Sequence, residues 1–167
     1  MTIFFTSDTH FGHANIIKHC NRPFSSVEDM DETMITNWNS RVRSNDTVYH
    51  LGDFTMKNGQ EALAYESRLN GFIHLIWGNH DRASVRNMDK VWGSSSYAAE
   101  ICVDGHHITL CHYAMRVWNH SHHGALMLYG HSHGMLPPIK NSLDVGVDCW
   151  DFAPVTLPEI LNRLGTV

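Results

Sequence analysis

The strongest constraint on this chain is a repeated junction, in which a short apolar run of β-forming residues ends in a polar cluster rich in histidine and aspartate. The runs are Ile3 to Phe5, Val48 to Leu51, Phe72 to Trp77, Ile108 to Cys111 and Leu126 to Tyr129. Directly behind them stand Ser7-Asp8-Thr9-His10, Gly52-Asp53, Gly78-Asn79-His80-Asp81, His112 and Gly130-His131-Ser132-His133. Short runs rich in β-branched and aromatic residues, bounded by turn-forming residues, read as strands. Strands that deliver imidazole and carboxylate at their C-terminal ends converge those groups on one sheet edge, where ligand sites of α/β folds lie.

Helical patterns fill the gaps. Ser25 with Glu28 predicts a capping box, and Met30, Met34, Trp38 and Val42 recur every four residues as the apolar stripe of the following helix. A second helix is predicted from about Glu61 to Leu69, stopping near Gly71. Strand-helix alternation in the first half indicates βαβ units. Further on, Tyr97 to Val103 and His107 to Cys111 flank the hairpin turn signal Asp104-Gly105. Leu143 to Val147 reads as another strand and Leu157 to Leu164 as a short terminal helix. The order fits two sheets sandwiched between helices.

The chain has 167 residues, which predicts one domain able to bury its own core. An apolar fraction of 43% and a charged fraction of 17% are those of an ordinary soluble protein. No apolar run approaches the roughly 18 residues of a membrane helix, and few residues precede the first strand, so the expected location is the cytoplasm. The formal charge of -5 argues against a stable nucleic-acid complex. Bound dications would reverse that sign locally and admit a phosphate. The four cysteines show no CxxC pairing and are expected to be reduced fillers of core or edge positions.

The candidate ligands are Asp8, His10, Asp53, Asn79, His112, His131 and His133. Oxygen and imidazole donors without thiolate suit Mn, Fe, Zn, Co or Ni. Seven are too many for one tetrahedral ion and suit two divalent ions joined by one carboxylate. Two such ions trap a phosphate oxyanion, and a hydroxide bridging them can attack phosphorus in line. His80, next to Asn79, could protonate the departing alkoxide as general acid. Asp81 could orient His80 or cap the next helix.

Taken in order, DxH (Asp8, His10), GD (Gly52, Asp53), GNHD (Gly78 to Asp81), the lone His112 and GHxH (Gly130, His131, His133) resemble the calcineurin-like metallophosphoesterase superfamily. The match runs from residue 7 to about residue 148. The wording DTHFGHANI, NRPF, HYAMRVW, LYGHSHG and VGVDCWDFAPV resembles a compact subgroup found in bacteria and phages. Its members usually carry Pro where Ala114 stands, a change that removes no ligand. The resemblance implies a four-layer α/β/β/α sandwich of two mixed sheets flanked by helices. It also implies that Asp8, His10, Asp53 and His133 hold one metal. Asp53 would bridge to a second, completed by Asn79, His112 and His131, and His80 would be the acid.

His13 finds no vacancy among the seven ligands and is expected to contact the substrate phosphate or to support a ligand. Arg116 is expected either as a fork on phosphate or as a surface charge, and Trp118 either as a platform for a base or as part of the core. Arg22 is expected to fix its loop, His50 and His74 to be hydrogen-bonded strand residues, and His106 and His107 to be solvated. The His120-Ser121-His122-His123 cluster reads as a solvated rim rather than a third metal site. The leading function is a two-metal phosphohydrolase on small or nucleotide-like phosphodiesters. The alternatives are a phosphomonoesterase, a nuclease or a non-catalytic protein-binding scaffold.

Overall fold

Nine strands sort into two mixed sheets in the computed structural model, which describes residues 1–88, 90–137 and 139–165. The first sheet contains β1 (Ile3–Thr6), β2 (Thr47–His50), β3 (Phe72–Ile76), β4 (Ser94–Ser96) and β9 (Val155–Thr156). Its order is β4-β3-β2-β1-β9, with β1 to β4 parallel and β9 antiparallel to β1. The second sheet, in the order β5-β6-β7-β8, is built from β5 (Ala98–Val103), β6 (His106–Cys111), β7 (Leu126–Tyr129) and β8 (Ser142–Asp144). Only β5 runs antiparallel to its neighbour.

Successive strand residues face opposite sides of a sheet, and β1 uses this to build two cores. Phe4 joins the core formed with α1 (Ala14–His19), α2 (Val27–Arg41), α3 (Gly59–Glu66) and α4 (Ala83–Arg86), through Ile16, Met30, Met34, Trp38, Ala62 and Val85. Phe5 instead faces the second sheet, where it joins Leu51, Ile108, Leu110 and Leu128. Leu157 and Ile160 of α5 (Leu157–Leu164) close that inner core. On the far side of the second sheet, Tyr113, Met115 and Trp118 pack over Cys111, Met127 and Tyr129. Two mixed sheets flanked by helices are what the strand-helix pattern predicts.

Local departures have local causes. The first cap is Ser26 rather than Ser25, its side chain accepting from the Asp29 backbone N–H at 3.1 Å. The second helix starts earlier than predicted because Asn58 and Glu61 form a capping box around Gly59. Val42 belongs to the apolar stripe but already lies in extended backbone, ending α2. The hairpin forms where Asp104-Gly105 predicts it, with φ of 48° and 82° as a type I′ turn requires. His106 and His107 belong to β6, and only His107 is exposed. β8 is shorter than the predicted Leu143 to Val147, since the chain turns into a 3-10 helix at Val147–Cys149. The all-serine β4 and two-residue β9 carry no apolar alternation and were not legible. The cysteines are all free; Cys111 is buried and the exposed Cys102 lies on the edge strand β5, in line with core or edge fillers.

Candidate metal centre

The parallel strands bring the polar clusters together in loops that demand unusual backbone. Asp8 (φ 58°), His10 (50°), Asp53 (55°), His131 (65°) and His133 (47°) all lie in the left-handed region. This region is sparsely populated by non-glycine residues, and each instance costs of order 1 kcal/mol. Packed surroundings hold these residues there. Ser7 donates to the Leu51 carbonyl at 2.9 Å, the Asp8 backbone N–H to Gly52 at 2.9 Å, and the His10 N–H to Asp53 at 2.9 Å. The neighbouring glycines make room for the carboxylates. A Cβ on Gly78 would overlap Asp53 Oδ1, and one on Gly130 would overlap Ser7 Oγ and Asp8 Oδ2.

The sequence-predicted ligands gather in two groups. Donor atoms of Asp8, His10 and His133 lie within 4.8 Å of one another, as do those of Asp53, His112 and His131. Asn79 Oδ1, 3.1 Å from His112 Nε2, joins the second group. Asp53 Oδ2 stands 3.6 Å from His10 Nε2 and 3.5 Å from His112 Nε2, between the two.

The donors fit cations. Both ring nitrogens of buried His10 lack a hydrogen-bond partner, a costly state for an imidazole out of water. Burial pushes the Asp8 carboxyl up to about 7, against the pull of His112 and His133. Burial also pushes Asp53 upward, but its hydrogen bond and charge interaction with His112, aided by His10, outweigh that and hold it at about 2. Burial lowers His10 to about 2, keeping it neutral as a ligand must be.

Hydrogen bonds from behind fix the ring orientations. Leu51's carbonyl can only accept, so His112 donates from Nδ1 at 2.7 Å, which points its Nε2 toward the oxygens of Asn79 and Asp53. His133 Nδ1 pairs with Asp148 Oδ2 at 2.7 Å. Asp148 is in turn gripped by Arg22 through two bonds of 2.8 Å. The fully buried Arg22 also donates to the carbonyls of Asp8 (2.7 Å) and Thr9 (3.1 Å), so it fixes the ligand loop itself. Such partners behind a ligand set its tautomer and aim.

Asp81 departs from both expectations for it. Its oxygens accept backbone N–H groups of Asp53, Phe54 and Gly78, at 2.9, 2.9 and 2.8 Å, so it ties the β2 and β3 loops together. Neither His80 nor α4, which follows Arg82, receives that carboxylate. His80 places Nε2 3.9 Å from Asp53 Oδ2 with its side chain 37% exposed. The His13 ring lies 5.5 Å from His10 and 6.4 Å from His80, and its buried Nδ1 has no partner. It caps α1 by position but makes no side-chain cap bond. Both rings line a cavity of about 690 Å³ together with His133.

Outside this centre, Arg116 is exposed and does not line that cavity. Trp118 takes the core reading, packing on the second sheet and donating to the Ala125 carbonyl at 2.9 Å. His120, His122 and His123 are exposed and form no ligand group among the described residues. His50 is buried, bonded to Thr9 at 3.0 Å, and His74 pairs with Ser94 at 2.8 Å.

Three aspartates of the site went unread in the sequence. Asp148 holds His133. Asp144 accepts from Ser132 (2.6 Å) and the Gly134 backbone (3.0 Å), fixing the GHSHG loop. Asp31 accepts from the Gly12 backbone at 3.1 Å and from Tyr65 at 2.9 Å, fixing the loop that presents His13.

The profile of the calcineurin-like phosphoesterase superfamily domain matches residues 1–142. The chain belongs to this superfamily. Among its relatives is an uncharacterised protein of Methanocaldococcus jannaschii, 37% identical over 97% of this chain and 90% of the relative. A protein of unknown function from Aquifex aeolicus shares the fold with a TM-score of 0.75, at 24% identity over 97% of this chain and 98% of its own. A structure described as a novel archaeal phosphodiesterase has a TM-score of 0.50 and 18% identity, over 87% of this chain and 82% of its own. The phosphoesterase profile ends at Ser142, so Asp144 and Asp148 lie beyond the matched residues.

Proposed function

We propose that this phosphoesterase-family chain is a dinuclear-metal phosphohydrolase acting mainly on phosphodiesters of small or nucleotide-like groups. The observation that carries the reading is Asp53, whose Oδ2 stands between His10 and His112 and so between the two ligand groups. Two divalent ions held there supply positive charge for the phosphate oxygens and acidify water at neutral pH.

The residues of the chain do the rest. Asp8, His10, Asp53 and His133 would hold one ion, with Asp53, Asn79, His112 and His131 holding the other. Water gives up a proton to the solvent, its oxygen attacks phosphorus, and the bond from phosphorus to the departing oxygen breaks. His80, half exposed beside Asp53, gives its Nε2 proton to that oxygen, which leaves as a neutral alcohol. His13, whose ring lines the same cavity, is placed to donate to a phosphate oxygen. The similarity in fold to an archaeal phosphodiesterase supports the diester preference.

Screening 2′,3′-cyclic and 3′,5′-cyclic nucleotides, a bis-aryl phosphodiester and an aryl phosphomonoester with Mn²⁺, Zn²⁺, Ni²⁺, Co²⁺ and Fe²⁺ tests the reading. Metal-dependent cleavage of the diesters above the monoester is expected. Preference for the monoester would make the chain a phosphomonoesterase, and inertness toward all of them would favour the non-catalytic scaffold.

A further inference from the structure

The 690 Å³ cavity beside the ligand groups is asymmetric in both place and chemistry, and its size is that of small-molecule sites. Its lining combines His13, His80 and His133 with Ile16, Cys20, Met56 and Met135. His133 belongs with Asp8 and His10, whereas His112 and His131 of the other group do not line it. The proposed proton donor, His80, lines this cavity. A group departing with the His80 proton therefore leaves into this cavity.

Charge and softness then narrow what can sit there. Among the described lining residues are no Lys, Arg, Asp or Glu side chains. A leaving group carrying a further phosphate, or a nucleic-acid strand, would find no Lys or Arg there to pair with its added charge. Met56 is half buried, while Met135 is 84% exposed on the loop just beyond His133. Thioethers are flexible and polarizable and pack well on aromatic rings. At the rim, Asn21 and His19 are exposed and can hydrogen-bond to a polar edge.

Resting on the phosphohydrolase reading, we infer that this cavity is the leaving-group site and selects a neutral, ring-bearing alcohol of nucleoside size, with Met56 and Met135 as specificity residues. The cleavage itself is the hydrolysis already described: the P–O bond to the ring-bearing alcohol breaks, and His80 gives its proton to the departing oxygen.

The test uses two methyl aryl phosphodiesters, one with a neutral 4-acetylphenyl leaving group and one with an anionic 4-carboxyphenyl group. Intrinsic reactivity cancels when the ratio of their kcat/KM values is compared between the wild type and variants. Met56→Lys and Met135→Lys should each shift the ratio about tenfold or more toward the anionic diester, mainly through KM, with wild-type metal content. Should either lysine variant fail to fold, Met56→Gln preserves length and should raise KM for the neutral diester at least threefold. A ratio within twofold of wild type in folded, metal-loaded variants overturns the leaving-group assignment while leaving the phosphohydrolase reading intact. Absence of metal-dependent hydrolysis of both diesters by the wild type overturns both.

Discussion

Asp148→Asn separates the support of the metal centre from its ligands. The carboxylate accepts from His133 Nδ1 at 2.7 Å and from Arg22 through two bonds of 2.8 Å, and the Arg22 side chain is fully buried. An amide keeps the shape but presents one oxygen to three donors, and its NH₂ group then faces a donor. Losing charge-assisted bonds of this kind costs about 1.5–3 kcal/mol in stability, and leaving a buried guanidinium without its counter-charge pushes the loss toward about 3–5 kcal/mol. Loss of a partner behind a metal-binding histidine typically weakens metal affinity 10- to 100-fold, or about 1.4–2.7 kcal/mol. Titration of metal-free protein with Mn²⁺ against a competing chelator reads the affinity, and thermal unfolding reads the stability. Rates should recover at saturating metal, because no ligand has been removed. A lower Tm with metal affinity within threefold of wild type would refute the reasoning, since Asp148 would then act on the fold and not on His133.

Other consequences are smaller in scope. His80→Ala should retain metal yet lose far more rate on alkyl than on nitrophenyl diesters, read from kcat across a leaving-group series; equal losses would remove the acid role. Gly78→Ala should abolish activity by driving its Cβ into Asp53 Oδ1, read from metal content alongside rate. Metal affinity should fall as pH falls through about 7. In the metal-free protein burial raises Asp8 to about 7, while His112 and His133 are also raised because nearby carboxylates outweigh their burial. Below that pH each ion must therefore displace protons, and calorimetry in buffers of different ionisation enthalpy should find more protons released per ion at pH 6 than at pH 8.5. Trp38→Ala should destabilise the protein by about 3–5 kcal/mol without touching the site, by emptying the α2 core.

The strands that bear the candidate ligands were legible because each couples an apolar run to a polar stop, and that coupling survives without knowledge of partners. β4 and β9 were not legible, because Ser94–Ser96 and Val155–Thr156 are strands only through their pairing with β3 and β1. The same division holds in the site. Asp8, His10 and Asp53 stand at strand ends and announce themselves, whereas Asp148 acts across a sequence separation of 15 residues on His133 and 126 on Arg22. Spacing cannot reveal such a partner. Asp81 was noticed for its neighbour His80, but its carboxylate serves three backbone amides instead. Side-chain direction is fixed by loop geometry, and the left-handed backbone of Asp8, His10, Asp53, His131 and His133 is not written in residue type.

Hydrolysis of bis(4-nitrophenyl) phosphate during stepwise addition of Mn²⁺ to metal-free protein, with bound metal measured at each step, tests the two-ion account most directly. Activity should rise to a plateau at two ions per chain, and Asp53→Asn should lose the capacity for both together. Full activity at one ion per chain, or Asp53→Asn retaining two tightly bound ions, would contradict it.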